Sequence, residues 1–127
     1  IRMDFKKNEF ISAYYSVQFI HPEKRQEVLD RCYNSLKKGG AMVMFEKVRA
    51  QSAQLQDILT GVYHEFKLDN GFTPAEIFSK SRSLKSVLDP FSSEENQSML
   101  KKAGFSEITI IMKNICFEGY LAIKKED

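Results

Sequence analysis

The stretch NSLKKGGAMVMFEKV, residues 34–48, decides how the chain reads. Its first half predicts the end of a helix. Lys37 and Lys38 sit where cations favour the helix dipole, and Gly39 is suited to a left-handed C-cap. Its second half, residues 41–45, is a nearly continuous apolar run, which fits a strand buried on both faces, as in a parallel sheet. A helix turning through two glycines into a buried strand is a junction of an α/β layer protein.

Upstream, residues 9–20 (EFISAYYSVQFI) are rich in β-branched and aromatic side chains and predict a strand running into a loop. His21 and Pro22 then open a helix, with the proline near the first helical position, where its missing N–H does no harm. Val28, Leu29, Cys32, Tyr33 and Leu36 recur at helical spacing as one buried stripe. Downstream, Leu55, Ile58, Leu59, Val62, Tyr63 and Phe66 form a second stripe, and that helix should fray at Asn70 and Gly71. Thr73 with Glu76, and Ser92 with Glu95, have capping-box spacing and open two further helices. The first, in one piece or two, should carry Ile77, Leu84, Val87 and Leu88 and end at Asp89 and Pro90; the second should stop at Gly104. Residues 108–111 and 120–123 predict two strands forming an antiparallel hairpin with an irregular connection around Gly119. Residues 124–127 read as a frayed tail.

Strands alternating with helices argue for an α/β fold with a mainly parallel sheet ending in that hairpin. The chain has 127 residues, with 43% hydrophobic and 28% charged content, which suits one small domain over residues 1–127. About four strands leave an exposed edge where earlier strands should pair. Ile1 is not a methionine, and the expectation is that coding sequence precedes it. No apolar run approaches a membrane span. The net charge of +2 permits contact with RNA without arguing for it. Cys32 and Cys116 lie far apart and read as two buried thiols in a reducing cytoplasm. His21 and His64 lack partners at ligand spacing, so no metal site is expected.

One absence carries most weight. An α/β cofactor fold usually grips its nucleotide on a glycine-rich turn after its first strand. None of the six glycines forms such a cluster. Gly39 and Gly40 follow a helix and precede a strand, the wrong direction for that loop. The half that grips the cofactor is therefore expected to lie outside these residues.

The helix, Gly-Gly and strand of residues 34–48 resemble the step from the fourth helix to the fifth strand of class I S-adenosylmethionine-dependent methyltransferases. A more specific likeness lies in QFIHPEKRQEVLDRCYNSLKKGGAMVMFEK, YHEFKLDNGF and KAGFSE. Together they resemble the bacterial carboxy-S-adenosyl-L-methionine synthase family, nearly without gaps along the chain. The resemblance implies the C-terminal half of a Rossmann-like enzyme. Such an enzyme converts S-adenosyl-L-methionine and prephenate to carboxy-S-adenosyl-L-methionine and phenylpyruvate. The carboxylated cofactor then serves a partner enzyme that modifies the wobble uridine of certain tRNAs.

The same resemblance implies site residues. Ile1 corresponds to the isoleucine of an Asp-Ile pair that contacts the cofactor, and Tyr14 aligns with an asparagine on the fourth strand. The family's distinguishing arginine holds the added carboxylate through two parallel charge-assisted bonds. A gap-free alignment places Ser81 there; a one-residue slip places Arg82 there. The two differ by about 100° around a helix, and Arg82 is the residue favoured. Tyr15 and His64 are expected to border the substrate pocket, although one of the adjacent tyrosines should, by alternation, be core. The helices from Leu55 to Leu88 are expected to cover the site and to offer a homodimer contact. No general acid or base is identified. Two other readings stay open: a conventional methyltransferase acting on a small molecule or tRNA, motivated by Ser81 and Tyr14, and a non-catalytic interaction module, motivated by the missing glycine-rich loop.

Overall fold

The structure is a computed structural model and describes residues 8–85 and 87–126. Strand β1 (Asn8–Tyr14) leads through a 3-10 turn (Val17–Phe19) into helix α1 (Pro22–Ser35) and strand β2 (Leu36–Lys47). Helices α2 (Ala53–Asp69), α3 (Pro74–Leu84) and α4 (Ser93–Ala103) follow, then strands β3 (Glu107–Asn114) and β4 (Phe117–Ile123). The sheet order is β1-β2-β4-β3, so the last strand is inserted between the second and the third. The sheet is mixed: β1 and β2 are parallel, joined by the α1 crossover, while β4 is antiparallel to both its neighbours. Parallel pairing is thus confined, among the described strands, to β1 and β2.

The junction that opened the sequence reading folds differently in detail. Helix α1 ends at Ser35, and Leu36 is already extended. Gly39 does take a positive φ of 82°, but inside β2 rather than at a helix cap. Asn8 pairs with Leu36 while Phe10 pairs with Ala41, so residues 37–40 bulge from the ladder. The bulge is fastened from the far end of the chain: Gly39 N–H donates to the Lys124 carbonyl at 2.9 Å, and Lys124 N–H donates to the Gly40 carbonyl at 2.8 Å. Lys37 and Lys38 therefore lie in the strand. The cation at the end of α1 is Lys124, whose Nζ donates to the carbonyls of Tyr33 and Leu36 at 2.9 and 2.8 Å. The tail that read as frayed is pinned at this residue.

The core lies between α1, α4 and one face of the sheet. Leu29, Cys32 and Leu36 meet Met42, Met44, Leu100, Phe105, Tyr120 and Ala122 there. Burial along β2 alternates, with Met42 and Met44 covered and Val43 and Phe45 only half-covered. The expectation of burial on both faces fails because the helices pack on one side. A buried carboxylate ties α4 to the sheet: Glu118 accepts from Ser93, Tyr120 and Lys113 at 2.6, 3.0 and 2.7 Å.

Both capping boxes form as their spacing predicts, and α2 and α4 stop at Asn70 and Gly104. Helix α3 ends at Leu84, earlier than expected. Lys85 is extended, and Val87 and Leu88 fall in the turn leading to Pro90, which disfavours helix in the residue before it. Helix α2 forms over its expected stripe but buries none of it: Leu55, Ile58, Val62 and Phe66 are all 44–53% exposed.

Gly119 is not the hairpin connection; it lies within β4, opposite Phe45 and Met112, and the turn falls at Ile115 and Cys116. A Cβ at Gly119 would stand 2.6 Å from the Phe45 ring, so the glycine is there to let that ring lie across the strand. Gly119→Ala is expected to cost about 1–3 kcal/mol through overpacking, read by chemical denaturation. The cost should shrink when Phe45→Leu is also present, because the obstructing ring is then gone.

Candidate functional site

The parallel β1–β2 ladder ends at the pair Tyr14 and Phe45. Tyr15 takes a φ of 53°, unusual for a bulky side chain, while its N–H still donates to the Phe45 carbonyl at 2.9 Å. This breaks the strand alternation. Tyr14 is 69% exposed and Tyr15 half-buried, so neither joins the core as alternation had required. Tyr15 swings toward Phe117, with ring centroids 5.6 Å apart at 86°. The second residue with this unusual backbone, Ile115 at φ 55°, precedes Cys116 and Phe117 in the β3–β4 turn. Strained backbone of this kind gathers at functional sites, and both instances here border one cavity.

That cavity, of about 500 Å³, opens at the carboxyl ends of β1 and β2. Tyr15, Cys116 and Phe117 line its sheet side; α2 contributes Tyr63, His64 and Lys67, and α3 contributes Lys80 and Ser81. Its charged lining residues are all lysines, namely Lys47, Lys67, Lys80 and Lys85, with no aspartate or glutamate among them. The chain as a whole carries 19 basic and 17 acidic residues, so this single-sign lining is local. A larger hollow of about 890 Å³ between α4 and the β3–β4 hairpin is of mixed charge, with Glu94 and Glu107 beside Lys101.

Gln18 fixes the near wall. Its Oε1 accepts from Lys47 N–H at 2.6 Å and its own N–H donates to Glu46 Oε2 at 3.2 Å. Its carbonyl accepts from the Arg25 guanidinium at 2.8 Å. Arg25 is itself buried, bonded to the Ile20 carbonyl at 2.9 Å and lying 4.4 Å from the Phe91 ring centroid. Burial pushes the Glu46 carboxyl up to about 8, against the pull of the Gln18 N–H and of Arg25. Burial also raises the Tyr15 and Tyr63 hydroxyls. It raises the Cys116 thiol too, though Lys47 and Lys67 hold that rise back. The thiol is therefore no ready nucleophile. Tyr63 anchors the far wall, with Lys47 Nζ 5.3 Å and Lys67 Nζ 4.6 Å from its ring centroid.

Of the residues singled out from the sequence, Tyr15, His64 and Ser81 line the cavity. Tyr14 stands beside it, its ring 4.6 Å from that of Tyr15. Arg82 is not among the lining residues; its guanidinium lies 6.0 Å from the exposed Phe78 ring. Ile1 lies outside the described residues. Sequence reasoning missed Gln18 and the lysines. The spacing of Tyr63 and Lys67, one helical turn apart, was a usable signal. No group of three metal-binding side chains occurs among the described residues. No described helix is long and apolar enough to cross a membrane.

The fold is that of S-adenosylmethionine-dependent methyltransferases. Human N-acetylserotonin methyltransferase in complex with SAM superposes with a TM-score of 0.60 at 16% identity, over 98% of this chain and 33% of that one. No family model matches. By sequence, the chain is similar to carboxy-S-adenosyl-L-methionine synthases. It is 38% identical to that of Staphylococcus epidermidis over 94% of this chain and 53% of the relative. It is 40% identical to that of Campylobacter jejuni over 95% of this chain and 52% of the relative. The chain thus spans about half the length of these curated relatives.

Between its ordinary value near 4.5 and about 8, Glu46 keeps in the folded state a proton that it loses when unfolded. Raising the pH through that window therefore removes stability. The expected loss from pH 5 to pH 9 is at least about 2 kcal/mol, and Glu46→Gln should flatten the profile. Denaturation curves across this range, compared between wild type and variant, provide the check.

Proposed function

We propose that the chain is the C-terminal part of an enzyme that uses S-adenosyl-L-methionine and prephenate to make carboxy-S-adenosyl-L-methionine and phenylpyruvate. The reading is carried by the 36–40% identity to carboxy-S-adenosyl-L-methionine synthases along nearly the whole chain. It is supported by a cavity at the strand carboxyl ends, where α/β folds hold their ligands. Residues of this chain would serve as one wall of the site. Tyr14, Ser81 or Arg82 and, by alignment, Ile1 would border the cofactor; Tyr15 and His64 would face the substrate. The reaction balances as one carboxyl group moved from prephenate to the cofactor's methyl carbon. The proton lost from that carbon and the hydroxide lost as the substrate ring becomes aromatic leave as water. The product would feed modification of the tRNA wobble uridine in the cytoplasm. The exposed apolar stripe of α2 would suit a homodimer contact.

Ser81, rather than Arg82, lies in the cavity wall, and this favours one second reading: a conventional methyltransferase that needs no added carboxylate. Calorimetry of the intact protein separates the two. On the first reading, carboxy-S-adenosyl-L-methionine binds at least tenfold tighter than S-adenosyl-L-methionine, and incubation with prephenate yields phenylpyruvate detectable by mass spectrometry. If Arg82→Ala removes the preference, Arg82 is the carboxylate ligand; if the preference survives, the ligand lies elsewhere in the wall. Equal binding of the two cofactors, with methyl transfer in the absence of prephenate, would establish the second reading.

A further inference from the structure

Tyr15 is turned into the cavity against the preference of its own backbone. At φ 53° it leaves the strand conformation, and its ring breaks the alternation of β1 to line the cavity. Such strain persists where a site needs one side chain in one place. Three rings then fix its direction: Tyr14 at 4.6 Å and 75°, Phe117 at 5.6 Å and 86°, and Phe45 at 6.1 Å and 49°. The ring is packed, but the hydroxyl has no hydrogen-bond partner among the described residues. Every fully buried side-chain nitrogen or oxygen described does have one, so the Tyr15 hydroxyl is a group that a ligand can reach. Burial raises that hydroxyl above the usual tyrosine range, and Tyr14, Cys116 and Glu46 add to the rise. At neutral pH it therefore holds its proton. The cavity's other candidates for proton chemistry are less firmly placed. No aspartate or glutamate lines it. Tyr63 and His64 are carried by α2, none of whose residues is buried, whereas Tyr15 stands at the end of a sheet strand, where a site is held more precisely.

We infer that Tyr15 is the acid–base residue of the reaction: its hydroxyl protonates the oxygen that leaves the substrate ring, and the tyrosinate takes back the proton lost from the cofactor's methyl carbon. The inference rests on the proposed function and adds to it the group that carries the proton. As the substrate ring becomes aromatic, the bond between the ring carbon and its hydroxyl oxygen breaks, and the electron pair goes to the oxygen. Tyr15 supplies the proton, and water leaves. The bond between the ring and the carboxyl carbon breaks with it, its electron pair staying in the ring. The tyrosinate then accepts a proton from the methyl carbon, and the electron pair of that C–H bond forms the new bond to the carboxyl carbon. Tyr15 ends protonated, so no external acid or base is consumed. A phenol with a raised proton affinity suits both halves: it is neutral at the start and strongly basic once it has given its proton.

The test uses the intact protein and two readouts. In the first, phenylpyruvate is followed from S-adenosyl-L-methionine and prephenate. Tyr15→Phe should lower kcat by at least about a hundredfold, while calorimetry shows unchanged affinity for S-adenosyl-L-methionine. Tyr33→Phe, which removes a hydroxyl from a ring packed on Phe105, should leave kcat as it is. The second readout is binding alone, with no cofactor present, of two probes that differ by one hydroxyl: cis-4-hydroxycyclohexanecarboxylate and cyclohexanecarboxylate. Wild type should bind the hydroxylated probe about fivefold tighter, the worth of one hydrogen bond, and Tyr15→Phe should bind the two alike. Circular dichroism confirms that each variant folds. A Tyr15→Phe protein that turns over as wild type does overturns the acid–base role and leaves the synthase reading standing. So does a His64→Gln protein that loses turnover while Tyr15→Phe keeps it. A wild type that makes no phenylpyruvate removes the synthase reading. In that case a hydroxyl preference lost in Tyr15→Phe keeps Tyr15 as the donor to a ligand's hydroxyl, and equal binding of the two probes by wild type overturns that too.

Discussion

The hydrogen bond from Lys47 N–H to the side chain of Gln18, 2.6 Å long, holds together the end of the molecule where ligands would bind. The β1–β2 ladder stops at Tyr14 and Phe45, and an unpaired backbone donor just beyond it would be costly if buried. Gln18 supplies the missing acceptor and uses its own backbone to reach Glu46 and Arg25. One residue in a 3-10 turn, through its side chain and its backbone, thereby ties together the strand end, the loop after β1 and the start of α1.

The two helices that line the cavity, α2 and α3, are built differently from α1 and α4, which pack on the core. Helices α1 and α4 bury Leu29, Cys32, Met99 and Leu100 in the core. Helix α2 buries none of its residues and α3 only Ile77. Gln56, Thr60, His64 and Lys67 of α2 and Lys80 and Ser81 of α3 line the cavity, while Leu55, Ile58, Val62, Phe66 and Phe78 are left to solvent. Elements held by so few core contacts open more readily than the rest of a domain.

Much of this was legible in the sequence because it depends on local chemistry. The capping boxes at Thr73 and Ser92, the proline start of α1 and the stop at Gly104 each involve residues within one turn of each other, and each formed as read. What escaped depends on partners distant along the chain. Gly39 appeared to be a helix cap because nothing local showed that Lys124 would come back to cap α1 and hold the bulge. Gly119 appeared to be a turn because nothing local showed that the Phe45 ring would cross it. Periodicity placed α2 correctly but could not say which side of the sheet would lack a covering layer. In the site, alternation failed at Tyr15 because the backbone turned left-handed there. The lysines went unread because each is ordinary where it stands and becomes unusual only in company.

The position of β4 bears on how such a sheet is made during synthesis. β2 gains its second neighbour, and β3 its only neighbour among the described strands, from a segment that follows both of them in the chain. Until residues 117–123 emerge, the nascent chain holds a half-paired central strand and a solitary one. Both expose backbone groups that other extended segments can recruit. Helices α1 and α4, capped by their own residues, can form before the face they pack against has its β4 strand. In this topology the four described strands become one sheet only when β4 arrives, so the last strand in sequence is the one that shuts it.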